Sequence, residues 1–284
     1  MDAPERSVDP ILERYSRVIE YSFPVVQPSY EQTDVIGWQT ANAAVQTAGR
    51  EIFDRLGAYL NVSFIEVTDP LDMNVIAIGV SNQTETVGFA YFPNPDFEVG
   101  MDVFISDDYV APRFVGSETT NFDYEIMLHE IYHALGLKHP FEADGDNTNV
   151  LGSREDTSPY TVMSYNLDPS TFAGDARVLD LMALTALYGV NPSYRLEDDT
   201  YEFSNSSGVF IVDGGGRDTV AYQGSQNVFV DLRFGGHSFI GSKSAYITSA
   251  NPLTISNGSL IENATTGSDN DTIIGNALNN TLSS

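Results

Sequence analysis

Cysteine is absent from the 284 residues of this chain. Without thiols the chain can form neither a disulfide framework nor a zinc site with thiolate ligands. A chain without any thiol is also compatible with export that needs no disulfide chemistry, and we take this as a weak indication of an exported protein.

Basic residues are scarce. The chain has 13 Lys and Arg against 40 Asp and Glu, which gives a net charge of -27. This charge repels phosphate backbones and anionic lipids, so we expect neither nucleic acid nor a membrane surface as a partner. The acidic excess fits calcium binding, and it equally fits a solvated surface with no ligand.

Long apolar runs are missing as well. No stretch of 18 apolar residues occurs, so we expect no membrane-spanning helix. The N-terminal segment MDAPERSVDPILERYSRV is charged and lacks an apolar core, and we therefore expect no standard signal peptide in it.

The pattern of residues 1–192 predicts an α+β domain. Apolar residues at helical spacing predict helices at 38–60, 122–135 and 179–188, and short β-branched runs predict strands at 19–23, 62–67, 74–80, 87–92 and 101–106. Thr120 and Asp123 form a plausible capping box before the second helix, and Gly136 is a good residue to end it.

The composition changes from residue 193 to residue 284. This part is rich in Gly, Asn, Ser, Thr and Asp, and no Lys or Arg follows Lys243. Its end has a nine-residue period, in which Gly267 and Asp271 recur as Asn276 and Asn280. Such a period is typical of parallel β-rolls whose tight turns bind calcium. We therefore predict a second, all-β domain.

The segment HEIYHALGLKH at residues 129–139 carries the clearest functional signal. His129 and His133 are four residues apart on a predicted helix, so both imidazoles lie on one face. Gly136 can turn the chain back so that His139 becomes the third ligand of one zinc ion. Glu130, beside the first ligand, is placed to act as the catalytic base.

These residues identify a family resemblance. Residues 129–139 resemble the metzincin signature HExxHxxGxxH, and YTVMSY at 160–165 resembles the metzincin Met-turn. HEIYHALGLKHP followed by VMSY is similar in particular to serralysins, the bacterial secreted zinc proteases. IEYSFP at 19–24, GFAYFP at 88–93, LYGVN at 187–191 and VDGGGRDT at 212–219 extend the resemblance over nearly the whole chain.

The resemblance implies a fold and several roles. It implies a metzincin domain with a mixed five-stranded sheet and long helices, followed by a calcium-binding parallel β-roll. Met163 would lie under the zinc as a hydrophobic floor, and Tyr165 would stabilise the oxyanion. An extended substrate would pair with the edge strand formed by Gly88, Phe89, Ala90 and Tyr91.

The resemblance also implies calcium ligands in the second domain. These positions are Arg195, Glu197, Asp199, Asp213, Gly215, Gly216, Asp218, Leu260 and Glu262, with Gly267, Asp269 and Asp271 in the terminal repeat. Asp269 stands where the repeat usually has Gly. Ordinary Asp-Gly turns without an ion are the competing interpretation.

We therefore expect a secreted, monomeric zinc endopeptidase that acts on protein or peptide substrates and that a proteinaceous inhibitor could block. The resemblance implies type I-like export, although no export signal is visible. Two alternatives remain: a catalytically silent, calcium-stabilised adhesion module with a protease fold, and a zinc hydrolase acting on another amide, such as a cell-wall peptide.

Overall fold

A computed structural model describes residues 17–29, 35–68, 75–93, 101–107, 122–143, 147–168, 172–206 and 208–284. In this part of the chain a few helices accompany several sheets, so the fold is mixed α/β. The chain divides into two compact units, Met1–Gly57 with Val62–Leu187 and Ala58–Asn61 with Tyr188–Ser284. Across the described residues, no helix is both long and apolar enough to cross a bilayer.

The first unit is built around one mixed sheet. Its strands are β1 (Val18–Ser22), β2 (Gln39–Thr40), β3 (Ser63–Glu66), β4 (Val75–Ser81), β5 (Gly88–Ala90) and β6 (Val103–Ser106). The order is β3-β1-β4-β6-β5, with β2 paired to β4. Strand β5 runs antiparallel to β6, and β2 antiparallel to β4, whereas the other pairs are parallel. The prediction of five strands missed β2, whose two exposed residues carry no apolar signal.

The first helix, α1 (Ala43–Tyr59), begins five residues later than predicted. The predicted start at residue 38 was wrong because Gln39 and Thr40 pair with β4 instead. The side chain of Asn42 accepts hydrogen bonds from the N–H groups of Ala44 and Val45 at 2.9 and 3.0 Å, which caps the helix at this point.

The second helix, α2 (Phe122–Ala134), ends in a tight glycine turn. Gly136 has a φ of 98°, its N–H donates to the His133 carbonyl, and the Leu137 N–H donates to the Tyr132 carbonyl, both at 2.9 Å. These two bonds form a Schellman motif, as glycine at this place predicts. Thr120, the predicted capping residue, lies outside the described residues. The third helix is α3 (Val178–Tyr188).

The second unit consists of short strands in two sheets. The strands are β7 (Thr200–Glu202), β8 (Val209–Ile211), β9 (Thr219–Ala221), β10 (Val228–Asp231), β11 (His237–Ile240), β12 (Pro252–Ile255), β13 (Asn263–Thr265), β14 (Thr272–Ile274) and β15 (Thr281–Ser283). The sheet orders are β14-β10-β11-β12-β8 and β15-β13-β9-β7. Among the strand pairs described in these two sheets, only the two made by β11 are antiparallel.

The nine-residue period of the C-terminal segment has a structural counterpart. Strands β13, β14 and β15 follow each other at nine-residue steps and alternate between the two sheets, so that Asn263 pairs in parallel with Thr281. Val220, Val230, Leu253 and Ala264 are buried in the apolar core of this unit. Within the repeat, Ala264 of β13 belongs to this core and Ile273 of β14 packs against it, whereas Leu282 of β15 is 44% exposed.

Candidate metal centre

Three histidines converge in the first unit. Helix α2 presents His129 and His133, and the turn at Gly136 returns the chain so that His139 faces both. The Nε2 atom of His139 lies 3.1 Å from the Nε2 atom of His129 and 3.1 Å from that of His133. The i, i+4 spacing and the glycine turn therefore produce the predicted cluster.

Hydrogen bonds at the far side of each ring decide which nitrogen carries the proton. His129 donates from Nδ1 to the Val162 carbonyl at 2.9 Å, and His133 donates from Nδ1 to the Leu137 carbonyl at 2.7 Å. Because a carbonyl only accepts, the proton of each neutral ring sits on Nδ1 and the Nε2 lone pair is free to bind a ligand. The Nδ1 atom of His139 faces the carboxylate of Glu142 at 3.3 Å, which favours the same tautomer.

Burial keeps two of these rings neutral. It lowers the pKa of His129 to about 4, and it lowers the pKa of His133 further, with the neighbouring imidazoles adding to the effect. Uncharged imidazoles are the form that binds a metal ion.

The cluster fits a tetrahedral zinc. Nitrogens about 2.0–2.1 Å from one such ion lie about 3.3 Å from each other, close to the 3.1 Å separations observed here. When all three rings carry their proton on Nδ1, the three Nε2 lone pairs directed at one point cannot satisfy each other. A cation would satisfy all three.

Glu130 lies within the same helix and is buried. Burial raises the pKa of its carboxyl group to about 8. Strand β5 packs directly against it, since a Cβ atom placed on Gly88 would lie 2.8 Å from Cγ of Glu130. The side chain is therefore held between the helix and the sheet.

The predicted Met-turn reaches the histidines through Val162, whose carbonyl accepts the bond from His129. Met163, the next residue, is buried, and its N–H donates to Oγ1 of Thr161 at 3.1 Å. Tyr165 has a ring centroid 4.6 Å from that of His139 and is 65% exposed, so it stands at the open side of the cluster. Burial, followed by the charges of Glu130 and Glu142, raises the pKa of the Tyr165 hydroxyl.

Strand β5 runs past the histidine cluster. It is the last strand in the order of its sheet, and it comprises Gly88, Phe89 and Ala90, whereas Tyr91 follows the strand and donates its N–H to the Asp102 carbonyl. One residue further, the ring of Phe92 lies edge-on to that of His133, at 5.3 Å between centroids. The predicted substrate strand is thus near both Glu130 and the histidines.

A second cluster of possible metal ligands lies in the second unit. Carboxylate oxygens of Asp199, Asp213 and Asp218 come within 4.8 Å of each other. Burial raises the pKa of Asp218 to about 6, and the charges of Asp213, Glu262 and Asp199 contribute. Oδ2 of Asp218 is buried without a hydrogen-bond partner among the described residues. A hard cation such as calcium would relieve both features, so the donor set fits the ion.

The other predicted calcium positions of this region lie close to these carboxylates. Glu262 accepts a bond from the Asp218 N–H at 2.8 Å, and Asp213 accepts one from the Gly215 N–H at 3.0 Å. The remaining positions lie on the adjoining turns. Arg195 has a φ of 54° and forms an ion pair with Asp199 at 3.7 Å. The Glu197 carbonyl faces Gly216, and the Leu260 N–H donates to the Asp213 carbonyl.

The terminal repeat is less complete. Asp271 accepts a bond from the Val228 N–H at 2.9 Å, and its second oxygen is buried without a partner in the part of the chain described. Asp269 adopts a φ of 120°, a conformation suited to glycine. A Cβ on Gly267 would lie 1.9 Å from the Gly224 carbonyl. Among the described side chains, these residues do not join a cluster of three acidic ligands.

Several residues around the histidines are not apparent from the sequence motif. The carbonyls of Leu137 and Val162 orient two of the histidines, and Phe141 stacks on the His139 ring with centroids 5.0 Å apart. Only Glu142 carries a recognisable signal, a carboxylate three residues after the last histidine of the motif. The others act through the backbone or through ring contact, which the identity of a residue does not reveal.

Comparison with known proteins gives two kinds of match. Residues 179–282 match the family model described as peptidase M10 serralysin C terminal. The chain is 27% identical over 300 residues to a serralysin of Photorhabdus laumondii and 29% identical over 303 residues to a serralysin of Proteus mirabilis. It is 32% identical over 254 residues to the metalloprotease AprA of Pseudomonas entomophila.

Each alignment covers a larger share of this chain than of the relative. The two serralysin alignments cover 93% of this chain and 60% of each relative, and the AprA alignment covers 78% and 51%. The chain therefore spans about 60% of the length of the first curated relatives that it matches.

Proposed function

Because this chain belongs to the serralysin-type metalloproteases, we propose that it is a zinc-dependent endopeptidase that hydrolyses peptide bonds of proteins. The observation that carries the proposal is the convergence of three Nε2 lone pairs, with Glu130, the residue after His129, buried against strand β5. We further propose that residues 1–192 form the metzincin domain and that residues 193–284 form a calcium-binding β-roll.

The histidines would hold zinc through Nε2, because their Nδ1 atoms are engaged in hydrogen bonds elsewhere. Zinc bound there would supply a Lewis acid that polarises a peptide carbonyl and lowers the pKa of water. The Val162 and Leu137 carbonyls keep two rings in the orientation and tautomer that this role requires.

Glu130 would move the proton. Its carboxylate would accept a proton from the attacking water and deliver it to the nitrogen of the leaving amine. Its buried position excludes bulk water from the proton transfer. The Tyr165 hydroxyl would donate a hydrogen bond to the carbonyl oxygen as negative charge develops there, and its exposed position leaves it free to approach a substrate. Met163 would support the histidines from below.

The substrate would lie extended along β5. This strand ends the described order of its sheet, and its residues Gly88–Ala90 pair only with β6 within that order. Main-chain pairing with a peptide would add a strand to the sheet and would bring the scissile bond near Glu130. Secretion and a monomeric state remain predictions of the family resemblance.

A cleavage assay tests the proposal. The purified chain, loaded with one equivalent of zinc, is incubated with denatured casein and with a broad peptide library. We expect cleavage at internal bonds, loss of activity on chelation, and recovery when zinc is returned. A folded, zinc-loaded chain that cleaves neither substrate would refute the endopeptidase proposal and would favour the adhesion module. Selective cleavage of cell-wall peptides would favour the other amidase alternative.

A further inference from the structure

Gly88 in strand β5 lies against the side chain of Glu130. A Cβ atom built on Gly88 would be 2.8 Å from Cγ, 2.9 Å from Oε1 and 3.1 Å from Cδ of that glutamate. Contacts below 3.0 Å are essentially never made by real Cβ atoms. Gly88 is not among the glycines with positive φ, so its backbone conformation is open to other residues. The glutamate, and not the backbone, is what excludes a side chain there.

Glu130 could not easily avoid a methyl group at position 88. The shortest contact is to Cγ, which is fixed by the torsion nearest the backbone, so rotation of the carboxylate alone would not relieve it. A helical side chain has two common χ1 rotamers, and changing between them would move the whole carboxylate. Glu130 is itself buried, so a second rotamer would have to fit into the same packed interior.

We propose that Gly88 is a positioning residue for Glu130: the missing side chain on the edge strand creates the space that holds the carboxylate beside the histidines. The inference rests on the proposed function for its catalytic consequence. The contact itself is independent of that function. The strand proposed to pair with the substrate would thereby also determine where the base stands.

The contact is tested first in the metal-free full chain. Gly88→Ala should lower the melting temperature by about 4 °C, because it overpacks a buried contact. In a Glu130→Ala background the same substitution should cause less than half of that shift, because the clashing atoms are gone. Gly152→Ala is the control, since a Cβ there meets nothing within 4 Å, and it should cause no loss.

If Gly88→Ala lowers the melting temperature equally with and without Glu130, the proposed contact between Gly88 and Glu130 is wrong. The same holds if Gly88→Ala fails to fold in both backgrounds. If it fails to fold only when Glu130 is present, the contact is supported.

The catalytic consequence is tested in the zinc-loaded protein. Gly88→Ala should lower kcat about a hundredfold, the cost of a displacement of about 1 Å, while KM stays within about twofold. Gly152→Ala should retain the wild-type kcat.

The two proposals fail in different ways. If the wild-type chain does not cleave but the melting temperatures are coupled, the proposed function is wrong and the Gly88 contact stands. If the wild type cleaves, Glu130→Gln is inactive, and Gly88→Ala keeps the full kcat, the positioning role is wrong and the function stands.

Discussion

Asp180 connects helix α3 to the turn that orients His129, one of the three proposed zinc ligands. Its carboxylate is fully buried and accepts three hydrogen bonds, from the Thr161 hydroxyl at 2.6 Å and from the N–H groups of Val162 and Arg177 at 2.9 Å each. The carbonyl of the same residue, Val162, accepts the hydrogen bond from Nδ1 of His129. Asp180→Ala should therefore weaken both the fold and the metal site.

The expected magnitude follows from these contacts. Removing the carboxylate leaves two N–H groups and one hydroxyl without their acceptor. Each should lower the free energy of unfolding by about 1–1.5 kcal/mol, or about 3–4.5 kcal/mol in total. Zinc affinity should fall by at least about tenfold, as is typical when the partner of a ligating histidine is disturbed. Asp180→Asn is the matched control, because its amide oxygen can accept from both N–H groups while its NH₂ group donates to the hydroxyl oxygen of Thr161.

The assay is urea unfolding followed by circular dichroism, together with zinc competition against a chromophoric chelator. We expect Asp180→Ala to lose stability and zinc affinity, and Asp180→Asn to stay within about threefold of the wild-type affinity. The reasoning is refuted if the alanine variant binds zinc as tightly as the wild type, or if asparagine is as damaging as alanine.

Three further predictions concern pH, calcium and one glycine. Burial raises the pKa of Asp180 from 3.8 to about 6, so protonation of Asp180 adds stability that is fully present below pH about 4 and is lost as the pH rises through about 6. The free energy of unfolding of the wild type minus that of Asp180→Asn should therefore fall by about 3 kcal/mol over this range in urea titrations, and a flat difference would contradict the shift. Calcium added to the chelated chain at a hundredfold excess over Kd should stabilise the second unit by about 2.7 kcal/mol, and Asp218→Asn should reduce the calorimetric shift. Gly216→Ala should lower the free energy of unfolding by about 1–3 kcal/mol, because φ is 141° and a Cβ would lie 2.3 Å from the Glu197 carbonyl oxygen. Gly215→Ala is the control: its Cβ would make only 3.6 Å contacts, so it should leave the melting temperature unchanged in the same experiment.

The parts of the site that follow from local geometry could be predicted from the sequence. The i, i+4 spacing of His129 and His133 and the positive φ of Gly136 are properties of a few consecutive residues, and they suffice to bring His139 to the other two histidines. Five strands of the first sheet were predicted for a similar reason: β4, for example, is buried along its whole length and its sequence is an apolar run.

Long-range partners could not be predicted in this way. The acceptor for His129 is a backbone carbonyl 33 residues away, and every residue type has such a carbonyl. Gly88 matters because of the atoms that lie opposite it, and glycine in a strand does not identify its neighbour. The start of α1 was misplaced because an exposed two-residue strand competes with helix in a segment where both are weakly encoded.

Conversion of Glu130 to glutamine tests the central claim most directly. Glutamine keeps the shape of the side chain and removes its ability to take a proton, and the three histidines remain in place to bind metal. We predict that Glu130→Gln binds one zinc ion with the wild-type affinity but cleaves casein about a thousandfold more slowly. A zinc-loaded wild type that does not cleave denatured protein, or a glutamine variant that cleaves it at the wild-type rate, would contradict the account.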